Sequence, residues 1–158
     1  MNKVNLSRDY SEIERQAVEQ LTVFGTTNER ESLRRLAQES LRPRSEDYAQ
    51  IFAPQVVEKA QEGYEKLWAE FPFPQAQPGQ TQLLVAIAKA EELASQEGVG
   101  EVFPGGYQQI VHYLLPDKIW LTWKYVKPGE SSGMAYDGLV WLEDRFAWFP
   151  KPWKILTD

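Results

Sequence analysis

The chain has 158 residues, 42% hydrophobic and 25% charged, with a net charge of −6 and a pI of about 4.9. This is the balance of an ordinary globular domain, long enough to bury a sizeable core. It contains no cysteine and one histidine, His112. Disulfides, thiolate nucleophiles, zinc ribbons, iron–sulfur clusters and histidine metal clusters are therefore excluded, and neither metal nor cofactor is expected.

Before residue 80 there are 10 basic and 13 acidic residues, and after it 7 and 10, so each half carries −3 with no basic arm. A phosphate backbone needs a clustered positive surface, and nucleic-acid binding is disfavoured. The first 16 residues, MNKVNLSRDYSEIERQ, lack the apolar region of a signal peptide. No apolar run approaches the roughly 18 residues of a membrane span. The expectation is a cytoplasmic protein whose partner is an unknown small molecule or protein, with no membrane and no nucleic acid.

The first part of the chain is helical by pattern. Ser11 and Glu14 have capping-box spacing, and Ile13, Ala17, Leu21 and Phe24 follow as one stripe. Gly25 is placed to cap that helix. Leu33, Leu36, Ala37 and Leu41 make the apolar face of a second helix, stopped by Pro43. A short helix passes through Tyr48, Ile51 and Phe52. Pro54 then opens the most regular stripe, from Val56 through Ala60, Tyr64, Leu67 and Trp68 to Phe71. The prolines of FPFPQAQPGQ break it and form a connector. The reading is one domain over 1–158, with a helical part at 10–72 and a mainly sheet part at 81–156.

Residues 81–95 fit a strand or a helix, and a strand to about Ala88 with a helical turn from Glu91 to Ser95 is favoured. YQQIVHYLLPDKIWLTWKYV reads as two strands around a Pro116-Asp117 turn. Pairing Leu115 with Lys118 sets His112 opposite Leu121 and Ile110 opposite Trp123, on one face. LVWLEDRFAWF reads as a second hairpin around Glu143-Asp144, with Trp141 opposite Phe146 and Leu139 opposite Trp148. Five of the six tryptophans lie at 120 or beyond, so this region supplies the largest core side chains. Pro150 and Pro152 have no N–H to donate and end the pairing. Trp153, Ile155 and Leu156 then fold over the core, and Lys151 and Lys154 deter strand addition.

The search for chemistry is mostly negative. GESSG, from Gly129 to Gly133, reads as a loop rather than a nucleophile elbow. Gly105-Gly106 reads as a turn. What remains is His112 in an apolar strand face, Trp123 on the same face, and Tyr136 and Asp137 at the start of the next strand. A histidine so placed is more often a core residue than a catalyst. Asp137 before Gly138 is equally good turn chemistry.

The elements together predict an α+β fold: N-terminal helices followed by a curved antiparallel β-sheet meander. That element order resembles the cone-shaped nuclear-transport-factor-like scaffold. The resemblance implies a pocket on the concave sheet face, within reach of His112 and Trp123. Three functions fit. The first is a non-catalytic domain binding a small ligand or a protein through His112, Trp123, Tyr136 and Asp137. The second is a small-molecule hydratase or isomerase using His112 and Asp137 as an acid–base pair. The third is an acidic protein that neutralises a basic partner such as a toxin.

Overall fold

The computed structural model describes residues 10–157. The helices are α1 (Ser11–Thr26), α2 (Arg30–Ser40), α3 (Tyr48–Ile51), α4 (Val57–Trp68), α5 (Tyr107–Ile110) and α6 (Pro152–Leu156). The strands are β1 (Gln82–Lys89), β2 (Ile119–Val126), β3 (Gly133–Trp141) and β4 (Phe146–Trp148). They form one antiparallel sheet in the order β1-β2-β3-β4. The fold is α+β, helices first and meander second.

The apolar stripes do what their spacing implies. Ala17, Leu21 and Phe24 of α1, Leu33 and Ala37 of α2, and Ala60, Tyr64 and Trp68 of α4 are all buried. They share one core with Trp120, Trp123, Tyr125, Trp148 and Leu156 from the second half of the chain. Local details differ. The first helix starts at Ser11 itself with Tyr10 at the cap position, and it runs past Gly25 to Thr26. Phe71 lies beyond the end of α4 with φ of 57° and is exposed.

The Glu143-Asp144 hairpin has the expected register. Leu142 N–H donates to Arg145 O at 2.8 Å, and Trp141, Val140 and Leu139 face Phe146, Ala147 and Trp148. Residues 81–95 are also as favoured, with β1 followed by a 3-10 turn over Ala90–Ala94.

The hairpin at Pro116-Asp117 is not formed. Residues 107–113 are helical, as α5 and a 3-10 turn over Val111–Tyr113. Leu114 makes a single antiparallel bridge, to Phe52. The turn exists, with Asp117 at φ 74°, but the strand it leads into pairs with β1 and β3. With both edges of β2 occupied, no place is left beside it for the 107–115 segment. Strand pairing stops at Trp148, before the prolines, and the final apolar stretch is a helix: Lys151 takes a left-handed conformation (φ 48°) and Pro152 opens α6.

Candidate ligand cleft around Asp137

The sheet has two unlike faces. Trp123 and Tyr125 of β2 pack against Tyr136 and Trp148, with ring centroids 5.5–6.2 Å apart, and Trp148 in turn meets Trp68 of α4 at 5.9 Å. Tyr125 Oη donates to Leu21 O of α1 at 2.7 Å, so the N-terminal helices close this face. The opposite face carries Thr122 and Lys124 of β2 beside Asp137 and Ala135 of β3. Here the covering is incomplete. Val102, Phe103 and Pro104 on one side and Lys151 and Trp153 on the other leave a cleft of about 370 Å³, whose lining includes Asp137 and its neighbour Tyr136.

Asp137 is brought there by a β-bulge. Leu121 pairs with Leu139, but Thr122 pairs with Asp137, so Gly138 is the extra residue. Its φ of +88° suits glycine, and a Cβ would lie 2.1 Å from Phe149 O. The chain leaving β4 wraps the bulge. Phe149 N–H donates to Gly138 O at 2.7 Å, Trp148 Nε1–H to Asp137 O at 2.8 Å, and Lys151 N–H to Asp137 Oδ2 at 3.1 Å. The left-handed turn at Lys151, between two prolines, aims that last N–H.

Asp137 is 4% exposed. Its Oδ2 also accepts from Tyr107 Oη at 2.6 Å. The Tyr107 ring is held edge-on against Phe103 at 5.8 Å, Trp120 at 5.7 Å and Trp153 at 5.2 Å. Both side-chain bonds go to Oδ2, which leaves Oδ1 without a protein partner among the described residues. Burial raises the Asp137 pKa above the usual carboxylate value, and the Tyr107 hydroxyl, the Lys151 N–H and the Lys151 charge only partly oppose it. Burial likewise pushes the Tyr107 hydroxyl well above its ordinary value, with the Asp137 charge adding to the effect. Tyr107 therefore stays a donor, and the cleft floor offers one acceptor oxygen in apolar surroundings.

The four residues singled out from sequence do not converge. Asp137 and Tyr136 border the cleft. The Tyr136 hydroxyl, however, donates to Gln75 O at 2.9 Å and accepts from Gln75 N–H at 3.0 Å, which pins the proline-rich connector. Trp123 is 1% exposed on the helix-covered face. His112 is exposed on the 3-10 turn, with its ring 4.0 Å from that of Tyr113. The expected strand pairing of His112 with Leu121 is therefore replaced by Leu121 pairing with Ile87 and Leu139. The partner of Asp137 is Tyr107, not His112.

Tyr107 and Phe103 carry no expectation from sequence, and Trp153 and Lys151 only a structural one, yet all four build the site. The signal for Trp153 lay in Gly106, where a Cβ would sit 2.3 Å from the indole ring. The G-x-S-x-G spacing at Gly129–Gly133 falls in the β2–β3 turn, where Ser131 O accepts from Lys124 Nζ. A nucleophile elbow requires a strand-to-helix turn instead. No group of three or more His, Cys, Asp or Glu side chains able to hold a metal occurs among the described residues. No helix among them is long and apolar enough to cross a membrane. Comparison with protein-family models, curated proteins and solved structures finds no match to this chain.

Proposed function

We propose that this protein is a non-catalytic binding module that takes a small ligand in the Asp137 cleft. The observation that carries the reading is the state of Asp137: nine-tenths buried, fixed through Oδ2, and with Oδ1 left for a guest. Oδ1 is not sealed in the core, since the buried side-chain polar atoms without a partner among the described residues are the indole nitrogens of Trp68, Trp120 and Trp123, and a ligand N–H or O–H can reach it from the cleft and bond it in largely apolar surroundings. Phe103, Pro104 and Trp153 supply apolar wall, while Lys124 and Lys151 lie on the lining. The ligand class is a small, flat, largely apolar molecule with a hydrogen-bond donor, such as a phenol or an aromatic amine. Specificity follows from the donor, since an analogue lacking it leaves Oδ1 unpaired.

The raised pKa of Asp137 also suits a proton-transfer group, which is the specific observation favouring an isomerase-type reading. His112 contributes nothing to that reading, because it lies outside the cleft lining. The test is a titration with phenols, aromatic amines and their donor-free counterparts, followed by NMR of the Trp153 indole N–H. Binding that shifts the Trp153 signal and is lost in Asp137→Asn supports the reading. Guests that bind elsewhere, or equally well to Asp137→Asn, overturn it. Turnover of any guest moves the assignment to catalysis.

A further inference from the structure

The floor of the Asp137 cleft accepts a hydrogen bond and its walls are largely apolar, but its mouth is charged. Asp137 is the only carboxylate on the lining, and the other two charged residues there, Lys124 and Lys151, are both cations. Lys151 is exposed and Lys124 half-buried, which puts both at the mouth rather than the floor. The chain carries 23 acidic against 17 basic residues. Two cations with no acid beside them therefore do not follow from composition.

Neither ammonium is neutralised by a carboxylate among the described residues. Lys124 Nζ donates to a backbone carbonyl, Ser131 O, at 3.1 Å, and the Lys151 ammonium makes no hydrogen bond or ion pair there. Arg15, Arg34, Lys66 and Arg145, by contrast, each sit on a carboxylate.

The sheet register places Lys124 relative to the floor. Thr122 pairs with Asp137 and Lys124 with Ala135, so Lys124 stands two residues along β2 from the floor residue, on the same face. Two residues of strand span about 7 Å. The bond to Ser131 O draws the ammonium further the same way, toward the β2–β3 turn. A single ring together with its hydrogen bond of about 2.7 Å to Oδ1 takes up that step. A charge meant for Lys124 then has to ride on an arm beyond the ring. An arm too short would hold an anion against the Asp137 carboxylate, where like charges repel.

Resting on the ligand reading of this cleft, we infer that its guest is an aromatic acid whose ring hydroxyl bonds Asp137 Oδ1 and whose anionic group, on a short flexible arm, pairs with Lys124 and Lys151. Phe103, Pro104 and Trp153 enclose the ring between the two polar ends. The net charge of −6 repels an anion at long range, so a preference for the acid over its neutral ester can come only from cations at the site.

The probes are para-hydroxybenzoate, para-hydroxyphenylacetate and para-hydroxyphenylpropionate, each beside its methyl ester. They are titrated into the whole protein near neutral pH by calorimetry and followed at the Trp153 indole N–H. The propionate should bind about fivefold or more tighter than its ester, and the benzoate should show the smallest preference. Lys124→Gln and Lys151→Gln should each lower the acid-to-ester ratio by about two- to threefold, and Lys124→Glu should invert it. Lys151→Gln keeps the backbone N–H that holds Asp137. Lys127→Gln removes the same charge outside the lining and should leave the ratio as it is. Esters that bind and shift Trp153, with acids no tighter, overturn the inference and leave the cleft reading standing. So does an acid preference that Lys127→Gln lowers as much as the two cleft variants do, or one that is largest for the benzoate. If neither acids nor esters bind, or both bind equally well to Asp137→Asn, the cleft reading itself fails and this inference falls with it.

Discussion

Arg145 of the β3–β4 hairpin donates from its guanidinium to Asp47 Oδ1, across 98 residues of chain. Asp47 is fully buried, and its other oxygen accepts from Arg44 N–H at 2.7 Å, whereas Arg145 is 23% exposed. The pair ties the turn between α2 and α3 to the hairpin that ends the sheet.

That asymmetry of exposure makes the two truncations unequal. Arg145→Ala strands a buried carboxylate and should cost about 3–5 kcal/mol. Asp47→Ala leaves a guanidinium that already reaches solvent, and should cost about 1–2 kcal/mol, in large part from the lost bond to Arg44. Urea denaturation of the two variants decides the order. Equal costs would mean that the carboxylate finds water once Arg145 is gone.

Gly138 holds the bulge that presents Asp137. Alanine there meets both a disfavoured φ of +88° and Phe149 O at 2.1 Å. We expect Gly138→Ala to cost about 3 kcal/mol or more. A small loss would require β3 to re-register without the bulge, visible as altered cross-strand NOEs between Thr122 and Asp137.

The tail is held by two close approaches. Ile155 Cγ2 would lie 2.7 Å from a Cβ at Gly63 of α4, and the Trp153 ring 2.3 Å from one at Gly106. A rigid ring yields less readily than an aliphatic tip. Gly106→Ala should therefore lift Trp153 off Tyr107, red-shift the emission and cost about 1–3 kcal/mol, with Gly63→Ala milder. Deleting 150–158 should cost several kcal/mol, because it removes buried Pro152 and Leu156 and the Pro150 carbonyl that Tyr64 Oη bonds at 3.0 Å. An unchanged melting temperature after deletion would show that the tail is not structural.

How far these features were legible in the sequence depends on the range of the interactions that set them. The stripes of α1, α2 and α4 and the Glu143-Asp144 hairpin follow from local period and turn chemistry, and both were readable. The segment 107–113 was not. Its Ile110, Val111 and Tyr113 have strand propensity, yet β1 and β3 occupy the two edges of β2, and that competition is non-local. Once 107–113 is helical, Tyr107 turns toward Asp137 and His112 turns to solvent, so the state of this one segment decides both residues' places. Asp137 was visible as a turn residue, but its burial depends on Tyr107 and on the Lys151 backbone, 30 and 14 residues away.

The last prediction concerns that carboxyl. Asp137 in the folded protein is a weaker acid than in the unfolded chain, because burial disfavours its charged form more than Tyr107 and Lys151 favour it. Between the unfolded value of about 3.9 and the raised folded value, the native state holds the proton while the unfolded state has released it. The Asp137 contribution to stability is therefore greatest at low pH, and it falls as pH rises through that window. It is smallest above the folded pKa, where the native state carries a buried charge. Asp137→Asn keeps an oxygen that accepts from Tyr107 and Lys151, and has no charge to bury. Comparing urea stabilities of the two proteins at a series of pH values isolates the contribution of this group. The wild type should lose stability relative to Asp137→Asn as pH rises through the window, and the difference should level off above it. A difference that stays flat, or one that runs the other way, would show that Tyr107 and Lys151 fully compensate the buried charge. The acceptor in the cleft would then be a buried carboxylate that its hydrogen bonds keep charged.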